Sequence, residues 1–123
     1  MAQLSAVIIT YNEELNIRRC LESLAGLADE ILVVDSGSLD GTVEICKSMG
    51  AVVIYQPFLG YIEQKNFATS KATYDWVLSL DADEALTPEL KSAIQSIMAH
   101  PDADGYTMNR LTNYCGEWVH HGG

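Results

Sequence analysis

An acidic triplet, Asp81-Ala82-Asp83, ends the apolar run Trp76-Val77-Leu78-Ser79-Leu80 and is followed at once by Glu84. In extended chain, residues two apart point to one side, so Asp81 and Asp83 can address a single cation or ligand. Hard carboxylate oxygens suit Mg²⁺ or Mn²⁺. A magnesium-type ion needs only one or two protein carboxylates and completes its shell with water and substrate phosphate oxygens, so a sparse pair suffices. A solvated acidic turn ahead of a helix, favoured by the helix dipole, is the competing explanation. The position at the end of an apolar strand favours the metal.

Two further polar clusters end apolar runs in the same way. Thr10-Tyr11-Asn12-Glu13 follows Ala6-Val7-Ile8-Ile9, and Asp35-Ser36-Gly37-Ser38 follows Ile31-Leu32-Val33-Val34. A carboxylate such as Asp35 only accepts hydrogen bonds, which suits a ribose hydroxyl or a base N–H; a helix-capping or turn role shared with Asp40 is the alternative. Ser36-Gly37-Ser38-Leu39-Asp40-Gly41-Thr42 is neither GxGxxG nor a phosphate-binding P-loop, which disfavours both of those chemistries. Lys65 stands in the connection leading to the acidic strand, where it can reach a pyrophosphate as a point charge or remain a solvated helix lysine. His120 and His121 lack zinc spacing with Cys115.

The elements that position these residues alternate. Strands are expected at Leu4 to Thr10, Glu30 to Asp35, Ala51 to Gln56 and Tyr74 to Leu80. Between them lie a helix with Ile17, Cys20, Leu21 and Leu24 on one stripe, a second from Asp40 to Met49 with Val43, Cys46 and Met49 inward, and a weaker third from Gly60 to Lys71 with Ile62 and Phe67 towards the sheet. Thr87 caps a fourth helix, Pro88 takes its first position, and Leu90, Ala93, Ile94, Ile97 and Met98 form its buried stripe. Asp104 to Thr112 reads as a fifth strand. Strands apolar throughout and separated by amphipathic helices indicate an α/β fold, with a mostly parallel sheet covered by helices on both faces. Right-handed crossovers with one reversal predict the order 3-2-1-4, which brings all three polar clusters to one crevice at the strands' carboxyl ends.

The chain has 123 residues and 48% hydrophobic content, the size and composition of one domain, residues 1–123, with a real core. Seven Lys plus Arg against 17 Asp plus Glu, a formal charge of -10, disfavour nucleic acid or an anionic membrane as partner. A small anionic ligand is compatible with this surface when a divalent cation stands between. Three unpaired cysteines, Cys20, Cys46 and Cys115, suit free thiols in a reducing compartment. The absence of a signal-like start and of any apolar run near the ~20 residues of a membrane span makes cytoplasmic the expected location. The tail, from Asn113 to Gly123, ends without a closing element, so the chain reads as a piece of a longer protein. An exposed edge of a truncated sheet leaves homo-oligomerisation open.

Val7-Ile8-Ile9-Thr10-Tyr11-Asn12-Glu13-Glu14, Val33 to Thr42 and Leu80-Asp81-Ala82-Asp83-Glu84 together resemble, in order and spacing, the family 2 glycosyltransferases. The resemblance covers residue 4 to about residue 112, and the tail is similar, more weakly, to the branch that elongates lipopolysaccharide or lipooligosaccharide cores. It implies a GT-A fold and inverting transfer of a sugar from a nucleotide diphosphate donor, UDP being the favoured nucleotide, to a glycan or lipid-linked acceptor, usually with Mg²⁺ or Mn²⁺. It also implies roles. Thr10, Tyr11 and Glu13 surround the base and ribose, Asp35 hydrogen-bonds the base, and Lys65 lies near the phosphates. Asp81 lies against ribose and metal and Asp83 ligates the metal, with Asn12, Ser36 and Ala82 in the same nucleotide-binding motifs. The family's general base comes from an acidic motif beyond this region, and Glu117 is not assigned to it, so the catalytic base is unknown. Work at the inner face of a membrane is compatible with such an acceptor. Two other readings stand beside this one: a non-catalytic nucleotide-binding or interaction piece, and a magnesium-dependent phosphoryl-transfer protein.

Overall fold

The computed structural model describes residues 3–74 and 76–99. The expected fifth strand, Cys115, Glu117, His120 and His121 lie outside the described residues. Four strands, β1 (Leu4–Thr10), β2 (Glu30–Asp35), β3 (Val52–Tyr55) and β4 (Trp76–Asp81), alternate with four helices, α1 (Ile17–Glu22), α2 (Thr42–Ser48), α3 (Tyr61–Ser70) and α4 (Pro88–Ala99). All strand pairs are parallel and the order is β3-β2-β1-β4, as the reversal after β3 predicts.

Side chains alternate across a strand, so the two faces of this sheet collect different residues. Leu4, Ala6 and Ile8 of β1, with Val33, Leu78 and Leu80, pack beneath Ile17, Cys20, Leu21 and Leu24, Cys46 of α2 and Ile94 of α4. Val7, Leu32, Val34 and Val77 face the other way, against Ala68, with Phe67 and Ile9 packed at the margin. Helices α1, α2 and α4 therefore share one face and α3 covers the other, the doubly covered sheet expected of such apolar strands.

The α4 boundary follows from its cap: the Leu90 N–H donates to Thr87 Oγ1 at 3.1 Å, and Pro88 opens the helix where a missing N–H costs nothing. At the amino ends of the strands, buried Ser5 donates to Glu30 (2.7 Å) and accepts the Tyr74 N–H (3.1 Å), while Thr73 binds Glu30 through its amide and hydroxyl. These bonds tie β1, β2 and the start of β4 together.

The expected inward face of α3 holds for Phe67 and is corrected at Ile62. Ile62 is 72% exposed, and the positions that turn inward are Gln64 and Ala68, with Phe67 half-buried. A polar residue can occupy an inner face when both ends of its amide find partners, which Gln64 achieves. In α2, Cys46 is buried and Met49 packs at the core's margin, whereas Val43 is half-buried.

Candidate functional site at the carboxyl edge of the sheet

Register decides what meets at this edge. Thr10 pairs with Asp35 across β1 and β2, and Ile9 pairs with Asp81 across β1 and β4. The three polar clusters thus stand side by side.

Asp35 is 3% exposed and its carboxylate is fully engaged. Oδ1 accepts the hydroxyls of Thr10 (2.7 Å) and Ser38 (2.6 Å); Oδ2 accepts the amides of Gly37 (2.9 Å) and Ser38 (2.8 Å). Gly37 makes this wrap geometrically available because its φ of 108° is open to glycine and strained for other residues. Burial pushes the Asp35 pKa up, but the Ser38, Thr10 and Gly37 donors outweigh it and hold the carboxyl below the ordinary aspartate value. Four donors match the approximately four lone-pair sites of a carboxylate. In this structure Asp35 therefore organises the edge from beneath.

The loops after β1 and β2 are zipped together. The Asn12 N–H donates to Ser38 Oγ (2.7 Å) and Asn12 Oδ1 accepts the Leu39 N–H (2.7 Å). Glu13 N–H reaches Thr42 Oγ1 (2.8 Å), and Glu14 Oε1 accepts the Gly41 N–H (2.6 Å). Asn12 sits in the left-handed region at φ 54°, which asparagine tolerates better than most residues. Its side chain serves the zipper.

Beside these loops opens a cleft of about 370 Å³ lined by Ile9, Thr10, Tyr11, Glu13, Ser36, Phe58, Tyr61 and Gln64. Four expected residues, Thr10, Tyr11, Glu13 and Ser36, converge there. Phe58, Tyr61 and Gln64 were missed by sequence reasoning; the aromatics on either side of Leu59-Gly60, where α3 begins, were the available signal. Phe58 and Tyr61 meet edge to face, with ring centroids 5.2 Å apart at 79°.

Lys65 and Asp81 form an ion pair, Nζ to Oδ1 at 3.1 Å. The acidic triplet is no continuous strand: β4 ends at Asp81, and the Glu84 N–H closes a turn on the Asp81 carbonyl at 2.9 Å. The extended-chain reason for joining Asp81 to Asp83 is therefore corrected, because the turn sets their relation. Helix α1 holds that turn, since Arg19 Nη2 donates to the Asp83 carbonyl (3.1 Å) and the Cys20 thiol to that of Asp81 (3.7 Å). Ala82 is buried beneath it and Asp83 is exposed. Glu84 Oε1 accepts the Asp81 N–H (3.1 Å); burial and the charges of Asp81 and Asp83 push the Glu84 pKa up to about 7 against that bond and the pull of Lys65. Burial above all raises the Cys20 and Cys46 thiols, to about 12 and about 11, so both are packing groups at neutral pH.

Among the described residues no three His, Cys, Asp or Glu side chains cluster as a metal cage. The donor chemistry nevertheless fits a hydrated divalent cation: exposed Asp83 and partly exposed Asp81 offer two hard carboxylates at one turn, the number such an ion takes when substrate phosphates complete its shell.

Residues 5–121 match the model of the family described as Glycosyl transferase family 2. An uncharacterized glycosyltransferase of Rickettsia typhi is 48% identical over 106 residues, spanning 86% of this chain and 36% of that protein. LpsC of Rhizobium meliloti, described as a lipopolysaccharide core biosynthesis glycosyltransferase, is 40% identical over 104 residues, 80% of this chain and 38% of its own length. The chain thus spans little more than a third of these curated relatives. Among solved structures, TarS of S. aureus superposes with a TM-score of 0.65 at 29% identity, covering 80% of this chain and 33% of that one. Glucosyl-3-phosphoglycerate synthase of Mycobacterium tuberculosis, in complex with Mn²⁺ and UDP-glucose, gives 0.63 at 27% identity, covering 85% and 40%.

Proposed function

The chain belongs to glycosyl transferase family 2, and from that premise we propose that residues 1–123 form the donor-binding unit of an inverting enzyme that moves a sugar from a nucleotide diphosphate, UDP foremost, to a glycan or lipid-linked acceptor. The observation that carries this reading is the convergence of the aromatic-lined cleft, the Lys65–Asp81 pair and the Asp83 turn along the carboxyl ends of adjacent parallel strands. Ligands of open α/β sheets bind at that edge.

The base would enter the cleft between Tyr11 and the Phe58–Tyr61 pair, over Thr10, Glu13 and Ser36. Asp35 acts on the base end through the groups it holds, namely Thr10, Gly37 and Ser38. Asn12 keeps the two flanking loops joined, and buried Ala82 lets the acidic turn sit close against the core. Lys65 is poised to exchange its Asp81 partner for the donor's diphosphate, freeing that carboxylate. Asp81 and Asp83 would hold Mg²⁺ or Mn²⁺, which supplies charge neutralisation for the departing nucleoside diphosphate. The acceptor hydroxyl also needs a general base in an inverting reaction, and no described residue is assigned to it.

The M. tuberculosis synthase bound to Mn²⁺ and UDP-glucose supports the donor and metal, and LpsC supports an acceptor in lipopolysaccharide core synthesis. We assign the reaction to the cytoplasm, at the inner membrane face when the acceptor is lipid-linked. No helix among the described residues is long and apolar enough to cross a membrane. The deciding experiment is calorimetric titration of UDP with and without Mn²⁺ into wild type and Asp83→Ala. Metal-dependent binding that disappears in the variant is the expected result. A folded wild type that binds UDP in neither condition overturns the reading.

A further inference from the structure

The side chain of Gln64 is 1% exposed although it belongs to the first turns of α3, whose neighbours Tyr61 and Ile62 are 73% and 72% exposed. Its amide spans the segment that precedes the helix. Oε1 accepts the Leu59 N–H at 3.0 Å, and Nε2 donates to the Gln56 carbonyl at 3.1 Å. Both bonds go to the same short stretch, so one side chain pins it at two points. Phe58 lies between those points, and its ring meets Tyr61 edge-on inside the cleft. Gly60, at φ 112°, then turns the chain into α3, where the Gln64 N–H donates to the Gly60 carbonyl at 2.8 Å. The aromatic pair remains more than half exposed among the described residues, Phe58 at 55% and Tyr61 at 73%.

We propose that Gln64 is a positioning residue, a two-ended latch that holds Phe58 beside Tyr61 as the aromatic wall on which a nucleobase in the cleft stacks. The inference rests on the donor-site reading above. Stacking rewards a ring already held in place, since ordering a mobile loop would subtract from affinity. A glutamine suits the task because only a group with one donor and one acceptor end serves both backbone partners, and a buried amide left half-paired is penalised.

Replacement by a titratable isostere tests the latch. In Gln64→Glu the ionised carboxylate faces the Gln56 carbonyl without a donor, whereas the protonated acid restores one donor and one acceptor. UDP affinity relative to wild type should fall on the order of tenfold at neutral pH and recover on acidification. Glu13, Tyr11 and Tyr61 line the same cleft, so wild type is titrated at every pH and only the ratio is read. Phe58→Ala should lose a similar factor, and adding Gln64→Glu to it should lose little more. Gln64→Met, uncharged and close in size, serves if the glutamate variant does not fold; its loss should be independent of pH and again absent in the Phe58→Ala background. Wild-type affinity at neutral pH in either Gln64 variant, or losses that add fully to Phe58→Ala, overturns the latch. Failure of wild type itself to bind UDP overturns the donor-site reading and the latch's role with it.

Discussion

Asp35 shows how a single carboxylate can hold a strand end and the turn that follows it together. Its four donors come from β1 and from the turn it begins, so removing one acceptor end disturbs two loops together. Asp35→Asn should lower the unfolding free energy by about 2 kcal/mol at neutral pH, as a buried acceptor is replaced by an N–H₂ group facing donors. The sign of the pH dependence follows from its depressed folded-state pKa. Stabilisation from Asp35 is complete above the unfolded value of ~3.9 and is lost as pH falls through the lower folded value. Urea unfolding across the acid range should therefore show the gap between wild type and Asp35→Asn shrinking below about pH 4. A constant gap would contradict this account.

Among the elements, the β2–α2 turn depends on one backbone conformation. A Cβ on Gly37 would find Tyr55 Cε1 at 3.6 Å, an ordinary contact, so the penalty of Gly37→Ala is conformational rather than steric. A cost of about 1–3 kcal/mol, read as a lower denaturant midpoint with an unchanged slope, is expected. Helix α4 depends on packing instead. Ile94 is fully buried in the larger core cluster, and Ile94→Ala should cost about 2–5 kcal/mol in the same measurement.

Over the whole molecule, acidic groups exceed basic ones by 10, and the site's own carboxylates add to that field. Self-repulsion of this kind is screened when the Debye length falls from about 30 Å at 0.01 M salt to about 8 Å at 0.15 M. Thermal unfolding should therefore shift upward with salt over this range. A downward shift would mean that local ion pairs, such as Lys65–Asp81, outweigh the net charge.

Apolar β-branched runs between amphipathic helices determined the parallel sheet, its order and its two covered faces, because burying a strand on both sides requires apolar residues throughout. The same runs brought the three polar clusters to one edge, since whatever polar group follows a parallel strand must emerge at its carboxyl end. Tertiary structure alone decided the finer assignments. Ile62 turned outward and Gln64 inward because a buried amide is tolerated once both its ends are bonded, and those partners lie in a loop whose path no local pattern encodes. Asp35 joins β1 to its own turn, and Asn12 joins the two loops, through Thr10 and Leu39, donors 25 and 27 positions away that only the β1–β2 register brings alongside. Hydrophobic periodicity is a local property and can be read along a chain; hydrogen-bond partnership across a sheet edge exists only after the chain has folded.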